Sequence, residues 1–279
     1  MSQNPPPPIV RRNSKPLIQK DQPSRRLKPL REQDVAPQRW NLDELRSLVR
    51  GHYGPAQLQK LRPPLRSVIE REYYASFHYH SAMDLVKDVI GDRDDTQVLE
   101  DLVLMADEDA SDRFSEARYQ AAAHVIACLQ SLHARADTLS HVLYYGLGMD
   151  LDVATQLGER QVDLRRVSSA VAGMTDGTAL GALLQELSGH AGFKYVDDLV
   201  NFSKHRSIVD TAYSVSFQQQ RHGLLLQSFT RNGITHPPRW VNEALPQEFD
   251  RQNVVCINIG IELNNIVRSR SAAANGIPV

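Results

Sequence analysis

Residues 112–147, DRFSEARYQAAAHVIACLQSLHARADTLSHVLYYGL, decide the fold. Phe114, Ala117, Ala121, Val125, Cys128, Leu132, Leu139 and Val142 recur there at three- and four-residue steps, and Ala122, Ile126, Leu129, Ala136 and Leu143 join them. Such a stripe belongs to a core-facing helix, and at 3.6 residues per turn it runs for about ten turns. Gly146 and Gly148 supply its stop.

Working back from this helix, Trp40-Asn41-Leu42-Asp43-Glu44-Leu45 reads as a helix start. Asn41 is the N-cap, Glu44 stands three residues on, and Trp40 and Leu45 are placed to clamp the first turn. Gly51 and Gly54-Pro55 close that helix, and Pro63-Pro64 separate a short second helix from a long one over 65–90. A turn at 91–95 precedes a further helix near 96–105. Forward from the long helix, 152–171 reads as helical, 179–187 as a short helix and 191–206 as another. The period then changes: 207–217 and 222–231, rich in Val, Ile, Tyr, Thr, Phe and Leu, flank a polar link and predict a β-hairpin. Pro237-Pro238 end the strands, and Pro246 is placed to open a last helix over 247–269. The expected fold is mainly α, a helical bundle with long antiparallel helices and one late β-hairpin insertion.

The chain's 32 basic and 33 acidic residues nearly cancel to −1, but their distribution is uneven. Residues 1–39 carry nine Lys/Arg, three acids and eight of the 15 prolines, a charge of +6 that leaves the rest at −7. That segment reads as a disordered basic tail, either a solvated leader or a contact for RNA or a protein partner, ahead of a helical domain over 40–279. The uncharged run from Tyr119 to Ala134 is too short and too polar for a membrane span. Met-Ser-Gln-Asn followed by four prolines lacks the layout of a secretory signal. Cys128 and Cys256, each in an apolar helical context, suit buried thiols in a reducing cytoplasm. There is no P-loop, no Gly-x-Gly-x-x-Gly after a strand, no His-Glu-x-x-His, no Cys-x-x-Cys and no Gly-x-Ser-x-Gly, so no cofactor is expected.

Several clusters carry possible chemistry. The acidic stretch 91–116 lacks the loop glycine and terminal glutamate of an EF-hand and suits helix N-termini. Gly173, Gly177 and Gly181 either permit close helix contact or mark a loop and a cap. His133, Asp137 and His141 repeat at four-residue spacing, a stripe that bridges helices by hydrogen bonds; its outer members, about 12 Å apart along the axis, cannot share one metal ion. Tyr73-Tyr74-Ala75-Ser76-Phe77-His78-Tyr79-His80 suits base stacking or, as we prefer, a subunit contact.

The string Asn201-Phe202-Ser203-Lys204-His205-Arg206 closes a helix just before the hairpin. A histidine near neutral pH beside fixed cations can serve as general acid or base on a phosphodiester, with Lys204 or Arg206 stabilising negative charge. The same cations also complement the helix dipole.

Long antiparallel helices, Asn-x-x-Lys-His-Arg at 201–206 and Arg231-Asn232-Gly233-Ile234-Thr235-His236 together resemble the bacterial HEPN-like helical proteins over about residues 65–270. The resemblance implies an all-helical, usually dimeric domain. In active members it implies metal-independent RNA cleavage by an Arg-x(4–6)-His motif, often with a polar residue after the Arg, a string that Arg231, Asn232 and His236 match. Arg46/His52, Arg71/His78, Arg118/His124 and Arg135/His141 satisfy the same spacing. The expected catalytic residues are therefore His205, His236 and Arg231, and the expected RNA contacts Asn201, Lys204 and Arg206. The alternative is a non-catalytic helical scaffold, a homodimer through its long helices.

Overall fold

The computed structural model describes residues 38–91, 108–219 and 221–276. The expected helix at 96–105, most of the acidic stretch and nearly all of the basic tail lie outside them. Asn41 caps α1 (Leu42–Tyr53), its side chain accepting from the Glu44 backbone N–H at 3.0 Å. Helix α2 (Pro55–Ile90) follows after Gly54, whose φ of +92° requires glycine.

Pro63 and Pro64 lie inside α2 and do not divide it. Each proline removes one backbone donor, but Leu58, Leu61, Leu65 and Val68 form a single buried stripe across them, and its packing holds the axis together. Helix α3 (Glu108–Gly146) runs antiparallel to α2. Gln57 reaches the Tyr145 carbonyl at 2.8 Å, Glu72 meets Arg135 at 2.8 Å and His78 meets His124 at 2.9 Å, so positions descend on one helix as they rise on the other.

Residues 152–163 are not α-helical, contrary to the expectation for 152–171. Two 3₁₀ turns (Met149–Leu151 and Glu159–Gln161) occupy the region, and α4 is confined to Leu164–Ala172. The short acidic side chains stop the pattern: Asp152 accepts from the Ala154 N–H at 2.9 Å, and Asp163 caps α4 by accepting from the Arg166 N–H at 2.8 Å. Gly173 caps the end of α4 and Gly177 the start of α5 (Thr178–Gly189). Helix α6 (Ala191–His205) follows at once.

The hairpin is shorter than expected. β1 (Thr211–Ser216) and β2 (Arg221–Leu226) pair antiparallel, with Ser214 opposite Gly223. Residues 229–231 leave that ladder and form a second hairpin, β3 (Phe229–Arg231) against β4 (Ile234–His236). Asn232 and Gly233, at φ +50° and +80°, make the two-residue turn between them. β5 (Arg239–Trp240) then borders β2 on the edge away from β1.

Helix α7 (Val241–Ala274) begins six residues before the expected start and carries Pro246 in its second turn. Val241 and Leu245 are buried against the sheet side of the core, which holds the turn preceding the proline in helical form. Buried side chains of α1 to α5 and α7 form one half of the core, with Leu45, Leu143, Leu184 and Ile259 fully buried. Parts of α2, α3 and α6 and the start of α7, with β2 and β3, form the other, around Val125, Leu199 and Leu226. The fold is mainly α with a small late antiparallel sheet. No described helix is long and apolar enough to cross a membrane. Cys128 and Cys256 are buried free thiols, and burial pushes Cys128 up to about 12.

Candidate functional site

The candidate residues gather on α6 and on the β3–β4 hairpin beside it. Asp197 and Asp198 are consecutive on the helix, so their side chains diverge by about 100°. One carboxylate faces α3 and the other faces the hairpin.

Asp197 Oδ1 meets His133 Nε2 of α3 at 2.9 Å. Asn201, one turn on, donates from its side chain to both the Asp197 carbonyl and Oδ1, each at 2.9 Å. The His133 hydrogen bond, with further help from Arg231 and Asn201, holds the Asp197 carboxyl below the usual carboxylate range against the opposing effect of burial. The expectation that the His133 stripe bridges helices thus describes the geometry. His141 makes no part of this bridge; its ring lies 6.4 Å from that of Tyr145, and burial pushes its pKa down. Among the described residues no cluster of three or more His, Cys, Asp or Glu is arranged to hold a metal.

Asp198 takes both members of the sequence pair. Arg231 Nη1 donates to Oδ1 at 3.0 Å and His236 Nε2 stands 2.9 Å from Oδ2. The Asn232-Gly233 turn sets the two on one edge of the hairpin, so one carboxylate spans them. The His236 ring stacks on Phe229 at 4.6 Å between centroids and meets Tyr195 edge-on at 5.4 Å. Its side chain is 11% exposed. Chemically this is a lock: the Nε2 of the imidazole and the guanidinium converge on a carboxylate of their own protein.

Lys204, His205 and Arg206 are exposed at the C-terminal end of α6. Arg206 lies 5.8 Å over the Phe202 ring, while no ion pair within the described residues involves Lys204 or His205. The six expected residues therefore divide into a bonded group (Asn201, Arg231, His236) and a bare tip (Lys204, His205, Arg206). Of the other Arg-x(4–6)-His windows, His124 is taken by His78, and Arg135, almost fully buried, is held by Glu72 and Asn253.

Sequence reading missed Asp198. Its signal was the pair of adjacent carboxylates one turn before Asn201, which ordinarily marks only a solvated helix face. Comparison of the chain with protein-family models, curated proteins and solved structures gives no match.

Proposed function

We propose that the chain is a non-catalytic helical interaction protein, HEPN-like in build, that pairs with a second copy through α2. The observation that carries this reading is an exposed apolar stripe on that helix. Ile69, Tyr73 and Phe77 repeat at four-residue steps and are 43%, 56% and 44% exposed, with Tyr74 beside them and Tyr119 exposed on α3. Arg66 and Glu70, paired at 2.6 Å, give the stripe a charged border. An apolar centre within a polar rim is self-complementary about a two-fold axis. A fully buried aromatic side chain covers about 150–250 Å², and these, already about half covered, have roughly half of that left to bury, so the stripe supplies the apolar centre of an interface and the surrounding rim the rest of the roughly 800 Å² per partner. The lock on Asp198 supports the non-catalytic part, since it engages Arg231 and His236 together. The two buried thiols suit a cytoplasmic setting, and the basic segment 1–39 offers an acidic protein partner a contact.

The bare tip favours a second reading, RNA contact through Lys204, His205 and Arg206. It needs no cleavage, and the net charge of −7 outside the basic segment restricts such a contact to that local patch.

Light scattering of the full chain tests the first reading. The expected result is twice the single-chain mass at micromolar concentration, and the single-chain mass for a Tyr73→Glu/Phe77→Glu variant that keeps its helical circular dichroism. A wild-type protein that stays at the single-chain mass overturns it. Labelled total RNA incubated with the protein in EDTA tests the absence of catalysis. RNA should remain intact, and cutting that disappears in a folded His205→Ala or His236→Ala protein would restore the ribonuclease reading.

A further inference from the structure

A cleft of about 870 Å³ opens between α3, α4, α5 and α6 on the α3-facing side of Asp197, away from the stripe and from the exposed tip of α6. Its size is that of a small-molecule site. His133, whose side chain is nine-tenths buried, forms part of its wall. One ring nitrogen is committed to Asp197, while the other, Nδ1, has no hydrogen-bond partner, Asp137 Oδ2 standing 3.5 Å away. A buried polar atom left in this condition is uncommon.

The three carboxylates of the wall differ in how far they are used. Asp163 caps α4 and binds Arg166. Asp197 is engaged by His133 and Asn201. Asp137 is 57% exposed, and within the described residues its carboxylate makes no hydrogen bond. Gly181 lines the same cleft. Gly181 lies inside α5, where glycine weakens a helix, and a Cβ added there would meet nothing within 4 Å. Neither a close helix contact nor a cap explains it. Leu164, Ala172 and Phe193 supply an apolar lining.

We propose that this cleft binds a small organic cation, an amine whose ammonium group docks on Asp137 beside His133 and whose apolar body lies along Leu164, Ala172 and Phe193. A mostly exposed carboxylate whose one ionic neighbour is the His133 ring at 3.5 Å, backed by two used ones, selects positive over negative charge, and the apolar wall selects an alkyl or aryl amine over a bare ion. Arg165 is the wall's single guanidinium and sits exposed at its edge.

Isothermal titration of the full chain with n-hexylamine, hexan-1-ol and hexanoate decides the matter. Hexylamine should bind saturably and one to one, at least tenfold more tightly than the neutral and anionic analogues. Asp137→Asn should weaken hexylamine at least tenfold. Gly181→Leu, which fills the space without altering charge and favours the helix, should weaken it as much. No saturable binding of hexylamine, equal binding of hexanol, or wild-type affinity in either folded variant overturns the proposal.

Discussion

Asp198 holds two elements that the chain would otherwise leave apart. It is 17% exposed and is the shared acceptor of Arg231 and His236. Replacing it with Ala leaves the buried His236 imidazole without its acceptor and Arg231 with only the Asp197 carbonyl at 3.3 Å and the Asp197 carboxylate at 3.7 Å, whereas replacing either donor leaves the carboxylate its other partner. Asp198→Ala should therefore cost about 2–3 kcal/mol of unfolding free energy, more than His236→Ala or Arg231→Ala at this contact. Urea denaturation of the three variants checks the order, and equal losses would mean that Asp198 is not the shared point. A second residue inverts a general rule. Replacing a helical glycine by alanine ordinarily stabilises, but a Cβ on Gly260 of α7 would come within 2.0 Å of the Trp40 indole, which is itself tied to Asn264 by a 3.2 Å hydrogen bond. Gly260→Ala should destabilise by about 1–3 kcal/mol through overpacking. In a Trp40→Ala background the penalty should vanish, and a penalty that persists there would place the strain elsewhere.

At the scale of elements, α7 is fastened to the α4–α5 link by Arg270, which meets both oxygens of Asp176 at 2.7 and 2.9 Å. The same guanidinium reaches the Leu147 carbonyl at 3.0 Å and the Tyr53 hydroxyl at 3.2 Å. Arg270 holds the Asp176 carboxyl below its ordinary range, so this group is more acidic folded than unfolded. Its contribution to stability is complete above the unfolded value near pH ~4 and is lost as the pH falls through the lower folded value. Wild type should accordingly lose more stability between pH 6 and pH 3 than an Arg270→Met protein, measured by denaturant midpoints at each pH. Equal losses would show that the pair is not coupled to folding. What could be read from sequence at this scale follows from range. Asn41 and Gly148 act on their own neighbours, so the start of α1 and the stop of α3 were legible. Pro63, Pro64 and Pro246 are helix breakers by local rule, and only the burial of Leu58, Leu65 and Leu245 on other helices lets the chain continue through them. Asn232-Gly233 is a strong turn signal that a longer apolar run concealed. In the site, Asn201, Arg231 and His236 were found, but their common dependence on α6 carboxylates was not, because 33 residues separate Arg231 from Asp198.

At the scale of the whole molecule the first and last helices are one structural unit. Asn264 donates to the Asn41 carbonyl at 2.9 Å and to Glu44 at 3.1 Å, Arg268 pairs with Glu44, and Trp40 lies over Gly260. A chain ending after Leu263 loses Asn264, Arg268 and Arg270 together, leaving Glu44 and Asp176 without their arginines, the Asn41 carbonyl without its donor and the Trp40 indole without its acceptor. Such a chain should melt without a cooperative transition by circular dichroism. A sharp melt near the wild-type midpoint would show that α1 docks on its own.

This closure also sets an order of events during synthesis. Contacts spanning 220 or more positions form only after nearly all the chain has left the ribosome. The α2–α3 pair can zip together while translation continues, with α1 still waiting. Until α7 emerges, the faces of Leu45 and Val49 await their full cover, and this is the interval in which a nascent chain most needs a holding chaperone.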